Sequence, residues 1–170
     1  MLKVLALLGY VVSGAVGDGA HHSMQLSCPA LQKNKTIPVE FTCNGQNHSL
    51  PLRWSRVPGG TQTMVVIMED ADSNHGYKHH WGLYNIPPRP HQLANNQHKF
   101  QPDEKFALNS WGTSKYCGPC SSAKEHNYII RLYALDAHLK FFEKNVTIEQ
   151  LEDAMVGHIV DVAQLKGHYP

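Results

Sequence analysis

Long hydrophobic runs are missing from this 170-residue chain. Its most apolar stretch, "VLALLGYVV" at residues 4–12, falls short of the roughly 20 residues that a bilayer-spanning helix needs, so no membrane span is expected. Charge of one sign is missing too. Lys and Arg number 15 against 14 Asp and Glu, which excludes the basic footprint of a nucleic-acid-binding surface. No internal repeat, low-complexity tract or interdomain linker interrupts the chain, so its length implies one domain. Ser49, Ser110 and Ser121 are present, but none stands in a G-x-S-x-G elbow. Nothing marks a nucleophile beside a base, and no enzymatic activity is assigned from the sequence.

What is present begins with an unusual amino terminus. Lys3, the apolar run and the small residues of "SGAVGDGA" have the shape of a secretory signal cleaved after Ala15 or Ala20. Ser13 two residues before Ala15 makes the earlier site the better small-x-small pattern, and Asp18 disfavours the later one. A buried N-terminal strand is the alternative. The division expected is therefore residues 1–20 as signal and 21–170 as one domain, exported to a periplasmic or secreted location. Four cysteines, Cys28, Cys43, Cys117 and Cys120, suit an oxidising compartment and allow three complete pairings. Sequons at Asn34, Asn47 and Asn145 matter only in a secreting eukaryote.

Most of the periodicity is that of strands. "MQLSC" (24–28) and "PVEFTC" (38–43) alternate as half-buried strands do. As a hairpin they would hold Cys28 and Cys43 at opposite ends, too far apart to bridge within about 7 Å. "TMVVIMED" (63–70) reads as a central strand, "HHWGLYNI" (79–86) as a second and "HNYIIRLYALD" (126–136) as the clearest of all. Residues 89–125 are long, polar and rich in Asn, Gln, Gly and Ser, a composition that compact domains keep for loops framing a site. One helix is expected from Thr147, a good N-cap with Gln150 completing a capping box. Ile148, Leu151, Met155, Ile159 and Val162 follow helical spacing, with Gly157 as an internal weak point and "QLKGHYP" leaving as a short final strand. A second short helix is expected near 136–142.

One segment gathers the chemistry: "EDADSNHGYKHHWGLYNIPP", residues 69–88. Strand alternation lets Asp70 and Asp72 point one way, places His80, Gly82 and Tyr84 on one face, and pairs His126 with Tyr128 on another. Two carboxylates, two imidazoles and a phenol at strand ends beside long loops form a candidate pocket. Convergence of the same groups within about 2.0–2.3 Å of one point would instead make a metal site. "CGPC" at 117–120 has the spacing of a thiol redox motif, but that motif opens a helix after a βα unit, and here a strand follows. A structural disulfide, local or long-range, fits the context better.

The motifs "SLPLRWSRVPGGTQTMVVIMEDAD", "HHWGLYNIP", "GPC", "HNYIIRLYALD" and the ending "EDAMVGHIVDVAQLKGHY" occur in that order. From about Met24 to Tyr169 the chain resembles the phosphatidylethanolamine-binding protein family, in its bacterial YbhB/YbcL-like branch related to the Raf kinase inhibitor proteins. The resemblance implies a mainly β fold of two antiparallel sheets with peripheral helices. It also implies a small pocket for phosphate or a phosphorylated headgroup, with inhibition of a protease or kinase as the kind of role, and no cofactor. Carried over by position, the pocket falls on Asp70, Asp72, His80, Gly118, Cys120, His126 and Tyr128. In it, Asp70 would accept a hydrogen bond from an imidazole and favour its charged form. His80, His126, Tyr128 and a backbone N–H of the "GPC" loop would donate to the anion. Two departures stand out. Ala71, Ser73 and Asn74 replace the family's usual D-P-D-A-P continuation, and Ser121 and Ser122 replace prolines after "GPC", which removes pre-organisation from two rim segments. The resemblance leaves monomer or homodimer open.

Overall fold

A computed structural model describes residues 23–31, 35–74, 78–95, 104–120 and 122–170. The expected signal segment, Asn34 and Ser121 lie outside the described residues. In chain order the elements are β1 (Gln25–Ser27), β2 (Leu52–Ser55), β3 (Thr63–Asp70), β4 (Lys78–Ile86) and β5 (Gln92–Leu93). They continue with β6 (Lys105–Phe106), β7 (His126–Leu135), α1 (Ile148–Met155) and β8 (Ile159–Tyr169). The strands form two antiparallel sheets, one ordered β1-β2-β5 and one ordered β6-β4-β3-β7-β8.

β3 is the centre of the larger sheet, and every one of its residues is buried. Met64, Val66 and Met68 face a core shared with Leu52, Trp54 and Leu93 of the smaller sheet. Val65 and Ile67 face a second core closed by Ile148, Leu151 and Met155 of α1. A strand covered on both sides needs apolar residues on both, which is why "TMVVIM" runs continuously instead of alternating. Gly82 of β4 lies under α1. A side chain there would bring its Cβ to 2.8 Å from Ile148 Cγ1 and 3.0 Å from Ala107 Cβ.

Three sequence expectations are corrected. Residues 38–42 are not a strand: Val39–Phe41 is a 3-10 turn, and β1 pairs with β2 instead. No helix forms at 136–142, where Leu139 is tied by its backbone N–H and C=O to the Asn85 side chain. The C-terminal helix has its capping box, with Gln150 N–H donating to Thr147 Oγ1 and Gln150 Oε1 accepting from the Thr147 N–H. It stops at Met155, however, because Gly157 just past the cap takes φ +83°, the left-handed conformation that ends helices and that glycine adopts at least cost. Gly157 is thus a terminator, not a weak point. Ile159 and Val162, spaced as if helical, belong to β8, which is the longest strand described and no short tail.

Candidate functional site

The strand order β4-β3-β7, all antiparallel, brings the end of β3 between the starts of β4 and β7. Asp70 is consequently the register partner of Lys78 on one side and Tyr128 on the other. Met68 pairs with Trp81 and Glu69 with His79, so the register slips and His80 is the extra residue. Such a bulge turns two consecutive side chains to one face. His79 points toward α1, its Nδ1 3.4 Å from Glu149 Oε1, while His80 joins Trp81 on the opposite face, its ring 5.2 Å from that of Tyr128. The expectation that His80 shares a face with Gly82 and Tyr84 is therefore corrected, since those two face the α1 core. Plain alternation cannot anticipate a bulge.

On that face Asp70 is buried and both of its oxygens are used. Oδ2 accepts from His126 Nδ1 at 2.7 Å, and Oδ1 accepts from the backbone N–H of Asp72 at 2.9 Å. Asp72 itself lies beyond the strand in an exposed turn. Its carboxylate takes the Asn127 N–H at 2.7 Å and the Asn127 side-chain amide at 2.8 Å. Those bonds, the backbone one first, hold its carboxyl below the usual carboxylate range. Asp72 braces the β3–β7 junction and does not share a face with Asp70 in a continuous strand.

His80 is anchored from the other direction. Its Nδ1 lies 2.6 Å from the carbonyl oxygen of Cys117, which can only accept, so Nδ1 carries the proton and Nε2 is the free nitrogen. Burial pushes its pKa below the ordinary histidine value, outweighing the Cys117 carbonyl and the Asp70 charge. At neutral pH it is an uncharged ring. Asp70 thus accepts from an imidazole as expected, that of His126, while His80 is held neutral by burial. Burial, followed by the charges of Asp70 and Asp72, raises Tyr128 well above the ordinary tyrosine range. It remains an O–H donor at any physiological pH. Among the described residues neither His126 Nε2 nor the Tyr128 hydroxyl has a hydrogen-bond partner and none is recorded at His80 Nε2, although the Gly118 backbone also acts on the His80 ring. Only Trp81 Nε1 is both unpartnered and sealed from solvent there, so these three tips keep some contact with solvent, although the His80 and Tyr128 side chains are buried.

Sequence reasoning missed the wall that completes the site. Asn109 is buried and accepts from Trp111 N–H (3.0 Å), Thr113 N–H (3.1 Å) and Thr113 Oγ1 (3.0 Å). Ser110 then docks this loop on β4 through both backbone and side chain at His79. The loop presents Trp111 edge-on to His80 at 4.9 Å, with Lys78 Nζ 4.4 Å over the indole. A tryptophan within the polar stretch "NSWGTS" was the available signal.

The "GPC" segment acts as scaffold. Gly118 N–H donates to Asn47 Oδ1 at 2.7 Å, so that amide is committed within the protein. A Cβ there would sit 2.3 Å from the Phe41 carbonyl oxygen, which demands glycine. Cys120 is bonded to Cys43 across 77 residues, leaving Cys28 buried and Cys117 partly buried as thiols. The CGPC spacing is thus not a redox pair. Burial raises the Cys117 pKa, the opposite of what a reactive thiolate needs. Among the described residues no three His, Cys, Asp or Glu converge to hold a metal ion, and no helix is long and apolar enough to cross a membrane.

A family model described as phosphatidylethanolamine-binding protein matches residues 27–170. A UPF0098 protein of Chlamydia pneumoniae is 38% identical over 151 residues, covering 86% of this chain and 98% of that protein. A UPF0098 protein of Methanothermobacter thermautotrophicus is 36% identical over 149 residues, with coverages of 86% and 98%. A crystal structure described as a phosphatidylethanolamine-binding protein homolog of Chlamydia trachomatis superposes with a TM-score of 0.80 at 37% identity, covering 87% of this chain and 97% of that one. Escherichia coli YbcL superposes with a TM-score of 0.79 at 21% identity, covering 86% and 98%, and its likeness is one of fold.

Proposed function

Since the chain belongs to the phosphatidylethanolamine-binding protein family, we propose that it is a binding protein whose pocket takes phosphate or a phosphorylated headgroup on His80, His126 and Tyr128. The observation that carries this reading is the set of three polar tips on one face. Each ring is locked from behind or by packing. Pre-organised donors of this kind lose little entropy on binding. Asp70 is a positioning residue: it orients the His126 ring, and it presents Nε2 outward. His80 Nε2 gains its proton with the anion, since a negative oxygen beside it offsets the cost that burial imposes on its charge. Trp111 and Lys78 close the mouth, and Lys78 adds the positive charge.

Capture and release is the activity proposed. Export through residues 1–20 remains part of this proposal, and the surface disulfide supports it, because such bonds persist in oxidising compartments. The test is calorimetric titration with phosphoethanolamine. Tyr128→Phe removes a hydroxyl that donates to a charged oxygen and should weaken binding about 10- to 150-fold, the range of a hydrogen bond to a charged group. Asp70→Asn, by freeing the His126 ring, should weaken it more. Unaltered affinity in both variants, with unaltered circular dichroism, would place the ligand elsewhere.

A further inference from the structure

A concavity of about 870 Å³ opens at the other end of the larger sheet, with Gln62, just before β3, on its rim. β3 has eight residues at about 3.3 Å each, so this opening is more than ~20 Å from Asp70 and separate from the anion site. Its size falls within the ~300–1,000 Å³ of ordinary ligand sites. Tyr84, Leu139 and Phe141 supply apolar lining, with Tyr84 and Phe141 edge-to-face at 5.4 Å. Phe142 projects with its side chain fully exposed, a position that no packing in the fold explains. Lys105, Lys140, Lys144 and His138 line the same concavity, and Glu143 is the only carboxylate among the described lining residues.

The loop carrying these groups is held in place. Asn85, buried and with φ +57°, donates from Nδ2 to the Leu139 carbonyl at 2.9 Å and accepts the Leu139 N–H at 3.0 Å. That clamp sits on the second register shift of β4, so a bulge presets this opening just as another presets His80. Aromatic side chains and three lysines lining one concavity match a molecule with an apolar body and a negative head. We infer that this concavity binds an amphiphilic anion: one apolar chain or ring bearing a carboxylate or phosphate. The apolar part lies against Phe141 and Phe142, and the head meets Lys105, Lys140 and Lys144.

Dodecyl phosphate, kept below its micelle threshold, is the probe, read by calorimetry and by backbone amide shifts. One saturable site is expected, with shifts at Asn85, Leu139 and Phe142 and none displaced by excess inorganic phosphate. Dodecyl maltoside, with the same tail and no charge, should bind about tenfold more weakly. Phe142→Ser and the pair Lys140→Glu with Lys144→Glu change exposed side chains only, and each should cost about tenfold. Equal affinity for the neutral amphiphile, or wild-type binding by both variants, would overturn the inference. So would binding to phosphatidylcholine vesicles containing phosphatidylglycerol without one-to-one binding of dodecyl phosphate, which would make the patch a membrane-surface contact.

Discussion

The protonation of His80 offers a quantitative handle on the anion site. In the free protein burial holds this ring below the ordinary value of about 6.5, with Nδ1–H committed to Cys117. An anion at Nε2 favours the doubly protonated ring. A hydrogen bond to a charged group contributes about 1.5–3 kcal/mol, and one pKa unit corresponds to about 1.4 kcal/mol. Bound anion should therefore raise the His80 pKa by about one to two units, and affinity should rise about 10- to 100-fold as pH falls through that window. The sign is fixed: the free form lies below about 6.5, so tightening is an acid-side effect. Stability has the opposite slope. A depressed folded value means the unfolded chain binds the proton first, so the protein loses stability as pH falls below about 6.5, and the anion should restore part of it. Sulfate is the suitable ligand, because its own charge does not change across the range, and calorimetry at steps between about pH 4.5 and 8 is the assay. His80→Asn retains an N–H for Cys117 but cannot titrate. Its residual slope should be smaller than that of wild type. A flat wild-type profile, or a His80→Asn profile as steep as wild type, would refute the reasoning.

Other outcomes follow from the same geometry. Peptide mapping without reduction should recover Cys43 linked to Cys120, with Cys117 alkylated in the folded protein and Cys28 only after unfolding. Reduction should cost roughly 4.5 kcal/mol in a chemical denaturation curve, the chain-entropy value for a loop closed across 77 residues. Gly82→Val should lower stability by about 1–3 kcal/mol through overpacking against Ile148 and Ala107, seen as a lower melting temperature with sulfate affinity retained. In the native host the mature chain should begin after Ala15 or Ala20, and an intact Met1 on the isolated protein would contradict export.

Much of this was legible in the sequence wherever local pattern and burial agree. β3, β4 and β7 are long, and their two-sided burial writes itself as β-branched and aromatic runs; the Thr147–Gln150 box is a local hydrogen-bond circuit. Elements decided by tertiary contact were not legible. Val39–Phe41 alternates like a strand, but its neighbour Cys43 is taken up by Pro119 and Cys120 from far along the chain. Ile159 and Val162 match a helical period that one left-handed glycine interrupts. At the site, Asp70, His80, His126 and Tyr128 follow from strand ends, whereas the face that His80 takes needed a bulge and Trp111 needed a loop folded by Asn109. Asn47 could not be found at all from spacing, since it meets Gly118 across 71 residues.

The claim that three polar tips form one anion site is tested most directly by long-range proton–nitrogen correlation spectra of the imidazole rings during a sulfate titration. Nε2 of His80 and Nε2 of His126 should shift together and yield one dissociation constant, with the Tyr128 ring following the same curve. Shifts confined to one imidazole, or different constants for the two, would contradict a shared site.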